Sequence, residues 1–379
     1  MKIAVPKELQ EHETRVALVP ETCKKLIKAG IEIEIEAGAG TKSYFPDETF
    51  RSAGATIQQD GRAMLSAADF VFKVQPPTHE ETEQIKEGAL LIASLLPTKN
   101  VETIQQLARR KVSAFSTDCI PRTTRAQSMD TLSSMANIAG YKSVLIAADE
   151  LPKYFPMFMT AAGTIFSAKV FIIGAGVAGL QAIATAKRLG ATVTATDTRA
   201  AVREQIESLG GRFAGVDTGE DAQDAGGYAK ELSEDFYKKQ AELIKEQCAA
   251  NDVVITTALI GGVKAPKLIT EEMVQGMTPG SVIIDLAAEA GGNCTLTEPG
   301  KTTVRHDVKI CGPLNLPATM PLHASTVYSR NLTTFMLEFW KENEFKLDLE
   351  DEIIAGALVT HNGEIRDERV KKILEGGGN

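Results

Sequence analysis

Residues 174–179 read Gly-Ala-Gly-Val-Ala-Gly. Glycines at this spacing do their chemistry through the backbone. Gly174 permits a tight turn, Gly176 lets main-chain N–H groups approach an anion, and Gly179 lets the next helix pack close to the preceding strand. The helix that opens at Val177 points its positive end at the same place, and Val177 makes its contact through the backbone. The spacing alone is weak, but its setting is specific. The apolar strand "KVFII" comes before it and an amphipathic helix ending at Leu189-Gly190 comes after it. A second strand, "ATVTATD", then ends in Asp197. This is the context of a dinucleotide-binding turn. A carboxylate at the end of the second strand accepts ribose hydroxyls and repels a 2′-phosphate, so NAD(H) is the expected cofactor. Thr198 and Arg199 are counted with its contacts, although an arginine here is also a residue that could accept a phosphate.

A second stretch with unusual hydrogen-bonding capacity is "RTTRAQSMD", residues 122–130, set between apolar segments. Arg122, Thr123, Thr124, Gln127 and Asp130, with Ser133 one helical turn further on, could hold a polar ligand. The plain alternative is a solvated loop in which Asp130 caps the following helix. Arg125 and Ser128 read as scaffolding of that loop. "DAGGYAKE" follows a polar, poorly periodic run and reads as a lid, with Tyr228 packing on a bound nucleotide and Gly227 giving close backbone approach. An ordinary surface loop is the alternative. Leu259, in "TTALIGG" at the end of a strand, is expected on the nicotinamide side. Among the five histidines only His323 could approach a ligand, with a local hydrogen-bonding residue as the alternative; the others fall in polar loops, before a strand or in a turn. Oxidation of an alcohol or amine needs a proton acceptor, whereas hydride exchange between two nicotinamides needs only position and a dry site.

These residues must be held by alternating strands and helices. The first 120 residues contain the strands "KIAVP", "IEIEIE", "ATIQ", "ADFVFKV", "ALLIASL" and "VSAFSTD", separated by helical patterns over about 21–29 and in "DETFRSAG", "HEETEQIKEG" and "NVETIQQLARRK". A long helix over 130–150 leads to a second set, whose later strands are "DVVITTAL", "SVIIDLA" and "VKICGP". Another long helix, about 325–342, leads to "IIAGALVTHNGEIR", which reads as a hairpin with an Asn-Gly turn. The alternation predicts an α/β protein with two Rossmann-like doubly wound parallel-sheet domains, the second inserted in the first and joined by long helices. The expected domains are 1–129 with 326–379, and 130–325. Ligands then belong at the carboxyl ends of the strands, in the cleft between the domains.

Composition restricts the partners. The net charge of −9 argues against nucleic acid. No run of 18 apolar residues occurs, so direct membrane insertion is not expected. The N-terminus has no signal-peptide pattern, and the five cysteines stand singly, as in a reducing compartment. No metal site is expected.

The strings "RVALVPETCKKLIKAG", "FKVQPP", the glycine turn and "DLAAEAGGNC" resemble the alanine dehydrogenase and nicotinamide nucleotide transhydrogenase superfamily. "RAQSMD", "MTAAGT", "GLQAIATAKRLGA", "AGGYAKE" and "SVIIDLAAEAGGNC" look specifically like the NAD(H)-binding component of proton-translocating transhydrogenases, in the form made as a separate soluble subunit. The resemblance implies hydride transfer between NADH and NADP+ held on a partner subunit. It further implies a homodimer, an NADP(H)-binding subunit, a membrane-spanning proton-translocating subunit, and a cytoplasmic position at the inner membrane. It places residues 122–130 beside the nicotinamide. Arg122, Gln127 and Asp130 correspond there to a recognised polar trio, with Gln127 suited to bridge two nicotinamides. Arg15 and Lys73 fall where alanine dehydrogenases carry substrate cations. Leu96 replaces their catalytic histidine and Glu289 their aspartate. The alternatives are an alanine-type amino-acid dehydrogenase and a non-catalytic NAD-binding regulatory module.

Overall fold

The computed structural model describes residues 1–216, 233–259 and 264–376. The chain divides into two compact units, Met1–Met135 with Pro317–Asn379, and Ala136–Leu316. The first boundary falls within the helix Thr131–Glu150.

In the first unit, β1 (Lys2–Val5), β2 (Glu32–Glu36), β3 (Thr56–Gln58), β4 (Phe70–Phe72), β5 (Leu90–Ala93) and β6 (Ser113–Ser116) form a parallel array in the order β3-β2-β1-β4-β5-β6. The central strands β1, β4, β5 and β6 are mostly buried on both faces, as a parallel sheet requires, whereas the edge strand β3 is not. Ile3 and Val5 join one core with Phe70 and Phe72, while Ala4 and Val71, pointing the other way, join a second core with Leu65 and Leu107.

The second unit opens with the rest of the helix Thr131–Glu150, and its first strands form an isolated antiparallel hairpin, β7 (Phe158–Thr160) and β8 (Gly163–Ile165). Then come β9 (Lys169–Ile173), β10 (Thr192–Thr196), β11 (Arg212–Phe213), β12 (Val253–Thr256), β13 (Val282–Asp285), β14 (Thr302–Arg305) and β15 (Val308–Cys311). Their order is β11-β10-β9-β12-β13-β15-β14. The order reverses between β9 and β12, which is the switch point of a doubly wound sheet. Val170 and Ile172 of β9 face one core, and Phe171 and Ile173 face the other.

The chain then returns to the first unit through the helix Pro321–Phe339. Its start precedes the expected one because Pro321 occupies the first turn, where a missing N–H costs nothing. It stops at Phe339 because Trp340–Lys341 (β16) turns back onto Glu344–Phe345 (β17), with Glu342 and Asn343 at positive φ. The expected hairpin is β18 (Leu358–His361) with β19 (Glu364–Ile365), turned by Asn362 and Gly363 at positive φ. The apolar residues before it are a separate helix, Glu352–Ala357, capped by the Asp351 carboxylate. β18 runs antiparallel to β6, and β14 antiparallel to β15, so neither sheet is wholly parallel.

Candidate functional site

The glycine turn lies between β9 and the helix Val177–Arg188. Gly174 has φ 95°, and a side chain there would meet the Thr257 hydroxyl at 2.5 Å. A Cβ on Gly179 would sit 1.9 Å from the Gly174 carbonyl oxygen, closer than any packing permits. Gly176 differs, since its Cβ position faces open space. It is also the helix N-cap, and no side-chain hydrogen bond caps the helix there. The turn therefore offers backbone donors to an open cradle at the positive end of a 12-residue helix, which fits the pyrophosphate of a dinucleotide. Val177 is exposed at the mouth of this cradle.

Asp197 follows β10. Its Oδ2 accepts the Ala175 N–H at 2.7 Å, so the carboxylate ties the end of β10 to the glycine turn. Arg199 grips the same group, with Nε donating to Oδ1 at 2.9 Å and Nη2 to Oδ2 at 3.0 Å, while its backbone N–H also donates to Oδ1. Thr198 is half-buried between them. Thr257, which sequence reasoning did not single out, directly follows β12. Its hydroxyl donates to the Gly174 carbonyl at 3.0 Å, joining both sides of the switch point. Its only sequence signal was a second threonine at the end of a buried strand. Leu259 is exposed two residues on. Gly227 and Tyr228 lie outside the described residues.

Residues 122–130 belong to the first unit. Ala126 and Met129 are buried in its core, and a short 3-10 turn over Gln127–Met129 joins them. This anchoring leaves Gln127, Arg122 and Thr124 exposed, with Thr123 half-buried. Asp130 Oδ1 accepts the Ser133 N–H at 2.8 Å and Oδ2 accepts its hydroxyl, so these two candidates bond one another and cap the helix Thr131–Glu150. Arg125 is committed to Asp351 at 2.6 Å, and the Ser128 carbonyl accepts from Asn331. The cap and the scaffold thus hold the loop while Gln127 and Arg122 stand outward.

Arg15 and Lys73 sit in a buried ionic network of the first unit. Arg15 is paired with Glu13 at 2.7 Å, and Gln75 donates to the same carboxylate. Lys73 lies 2.8 Å from Glu81 and 3.4 Å from Glu8. Burial works to raise the Glu13 carboxyl, but Arg15 and Gln75 outweigh it and hold Glu13 at about 2. Burial raises Glu8, with Lys73 opposing it. Leu96 has φ 43°, an uncommon conformation for leucine, and the Asp118 carboxylate accepts its N–H. It brings no acid–base group to the turn after β5. Glu289 accepts the Asn315 N–H at 2.6 Å. His323 is exposed in the first turn of the helix Pro321–Phe339. Burial pushes the thiols of Cys23 and Cys248 up to about 12 and Cys119 up to about 11, which leaves them poor nucleophiles.

Comparison with known proteins gives the family and the fold. The alanine dehydrogenase/PNT N-terminal domain family matches residues 4–139 and its C-terminal domain family matches residues 143–368. The chain is 51% identical to the first of the divided alpha-subunit chains of the Rhodospirillum rubrum NAD(P) transhydrogenase, covering 96% of this chain and 97% of that one. It is 44% identical to NAD(P) transhydrogenase subunit alpha of Haemophilus influenzae, covering 96% of this chain and 71% of the relative. A solved transhydrogenase structure from Sinorhizobium meliloti superposes with a TM-score of 0.88 at 43% identity, covering 96% of this chain and all of that one.

Proposed function

This chain belongs to the alanine dehydrogenase/PNT family, and from that premise we propose that it is the NAD(H)-binding subunit of a proton-translocating NAD(P) transhydrogenase. The bound nicotinamide supplies a hydride equivalent, exchanged with NADP+ or NADPH held by a partner subunit. The chain's own residues bind and orient. The cradle at Gly174, Gly176, Val177 and Gly179 holds the pyrophosphate, and Asp197, with Thr198 and Arg199 beside it, receives the adenosine ribose. Leu259 contacts the nicotinamide side. Arg122, Thr123, Thr124 and Gln127 serve the nicotinamide end, with Asp130 and Ser133 fixing the loop that carries them. Gly227 and Tyr228 are assigned to the cofactor on the pattern of "DAGGYAKE" and on the resemblance.

The observation that carries this reading is Leu96. A complete dinucleotide turn is combined with an apolar residue where an amino-acid dehydrogenase of this family keeps its histidine. Hydride exchange between two nicotinamides moves no proton at the reacting carbons, so no general base is needed. Restored transhydrogenation on mixing with an NADP(H)-binding partner, and none without it, is the expected result. Failure with a competent partner would contradict the reading.

We further propose a homodimer, attached at the cytoplasmic face of a membrane through an NADP(H)-binding subunit and a membrane-spanning proton-translocating subunit. Among the described residues no helix is long and apolar enough to cross a membrane. The support for self-association is the hairpin β7–β8. Met159 is 79% exposed and Phe166 is 76% exposed, and residues 154–168 contain no charge. An isolated two-stranded hairpin with exposed apolar side chains gains stability by being covered. Sedimentation should show a dimer that Met159→Lys with Phe166→Lys dissociates.

A further inference from the structure

The residues that follow β12 are tied down one after another. The Thr256 hydroxyl donates to Asp285 Oδ1 at 3.0 Å, and the Thr257 hydroxyl donates to the Gly174 carbonyl. The third tie comes from a distant residue. Asn293 Nδ2 donates to the Ala258 carbonyl at 2.8 Å and to the Pro266 carbonyl at 2.9 Å. Its main-chain carbonyl accepts the N–H groups of Leu268 and Ile269 at 2.8 and 3.0 Å. One fully buried residue thus holds the chain where it leaves β12 and where it returns.

Asn293 is itself rigidly placed. Asp285 Oδ2 accepts the Cys294 N–H at 3.0 Å and the Thr297 hydroxyl at 2.6 Å. The chain reaches Asn293 through Gly291 and Gly292, both at positive φ, and a Cβ on Gly292 would lie 2.7 Å from Asp285 Oδ2. A carboxamide nitrogen is the group this position requires. It carries two N–H donors for two carbonyls and no charge to bury. Aspartate would present only acceptors to those carbonyls, and serine would supply one short donor.

β12 lies across the switch point from β10, the strand that presents Asp197. In a doubly wound sheet the second half receives the other mononucleotide. We infer that Asn293 is a positioning residue for the nicotinamide half of the site: it sets the backbone at Ala258 and Leu259, without contacting the cofactor itself. The inference rests on the NAD(H) reading given above.

The test compares two ligands on the full-length chain. NADH reports the whole site, whereas ADP-ribose keeps the adenosine, the pyrophosphate and both riboses and lacks only the nicotinamide ring, so the difference between the two ligands reports the ring. Asn293→Ala leaves the Ala258 and Pro266 carbonyls without their side-chain donor, so NADH affinity should fall at least about tenfold while ADP-ribose affinity stays within about threefold. Asn293→Ser, which keeps one donor, should show the same split in weaker form and provides the reading if the alanine variant does not fold. Equal losses for both ligands would make Asn293 merely structural and overturn the inference, as would unchanged NADH binding in both variants. Wild-type chain that binds ADP-ribose and not NADH would instead contradict the cofactor reading.

Discussion

Asp197 and Arg199 form a closed pair at the end of β10, with both carboxylate oxygens accepting from the guanidinium and one also accepting the Ala175 N–H. Arg199 is the cation best placed to accept a 2′-phosphate, and the pair keeps it on the carboxylate. Asp197→Asn removes the charge that repels a phosphate and loosens Arg199 together. NADH affinity should fall by about 1.5–3 kcal/mol, the worth of a charge-assisted hydrogen bond, while NADPH binding should strengthen. Calorimetry with both nucleotides measures this. Equal affinity of the wild-type chain for NADH and NADPH would contradict the assignment.

Glu13 and Arg15 link stability to pH. Glu13 is depressed from its ordinary 4.5 to about 2 in the folded chain. A depressed carboxyl contributes stability above its unfolded pKa and loses it as pH falls toward the folded value. The contribution is therefore complete above about pH 4.5 and drains between there and about pH 2. Glu13→Gln removes the carboxylate that Arg15 donates to and should cost about 3–5 kcal/mol at neutral pH. Its stability should also fall less steeply than wild type across that acid range. Denaturant unfolding at several pH values checks both; parallel curves for the two proteins would exclude this role.

Leu96 puts an apolar side chain where the resemblance to alanine dehydrogenases places a catalytic histidine. No NADH should form from NAD+ and L-alanine between pH 7 and about 10, where a catalytic histidine or lysine would work as a base. Turnover at about 1 s⁻¹ or more would restore the amino-acid dehydrogenase reading.

Much of the architecture is legible because buried parallel strands leave unbroken apolar runs, such as "KVFII" and "SVIIDLA". The glycine turn is legible because its three glycines answer local steric demands. The edge strand β14 left little trace, since "TTVR" is mostly exposed and carries no apolar run. The hairpin β7–β8 was not legible either, since its strands are three residues long and exposed, with no alternation of buried and exposed positions. Relations between distant residues were out of reach. Nothing at Asn293 announces that its amide meets Ala258 and Pro266, and nothing at Asp285 announces the hydroxyl of Thr256. The cap formed by Asp130 was foreseeable from residue type and spacing, whereas the commitment of Arg125 to Asp351 was not.

The central claim is that the chain positions one nicotinamide against another, and Gln127 tests it most directly. Buried Ala126 and Met129 fix the turn from which its exposed carboxamide extends. Gln127→Asn withdraws that amide by about one bond length, and a misplacement of about 1 Å can lose about 10²-fold in rate. Contacts made only with both nucleotides present contribute little to binding one. The measurement is stopped-flow hydride transfer in the complex with the NADP(H)-binding partner, alongside NADH titration of the subunit alone. The account predicts NADH affinity within a few-fold of wild type and hydride transfer slowed at least about tenfold, or about 1.4 kcal/mol in the barrier. An unchanged rate, or a collapse of NADH affinity, would contradict it.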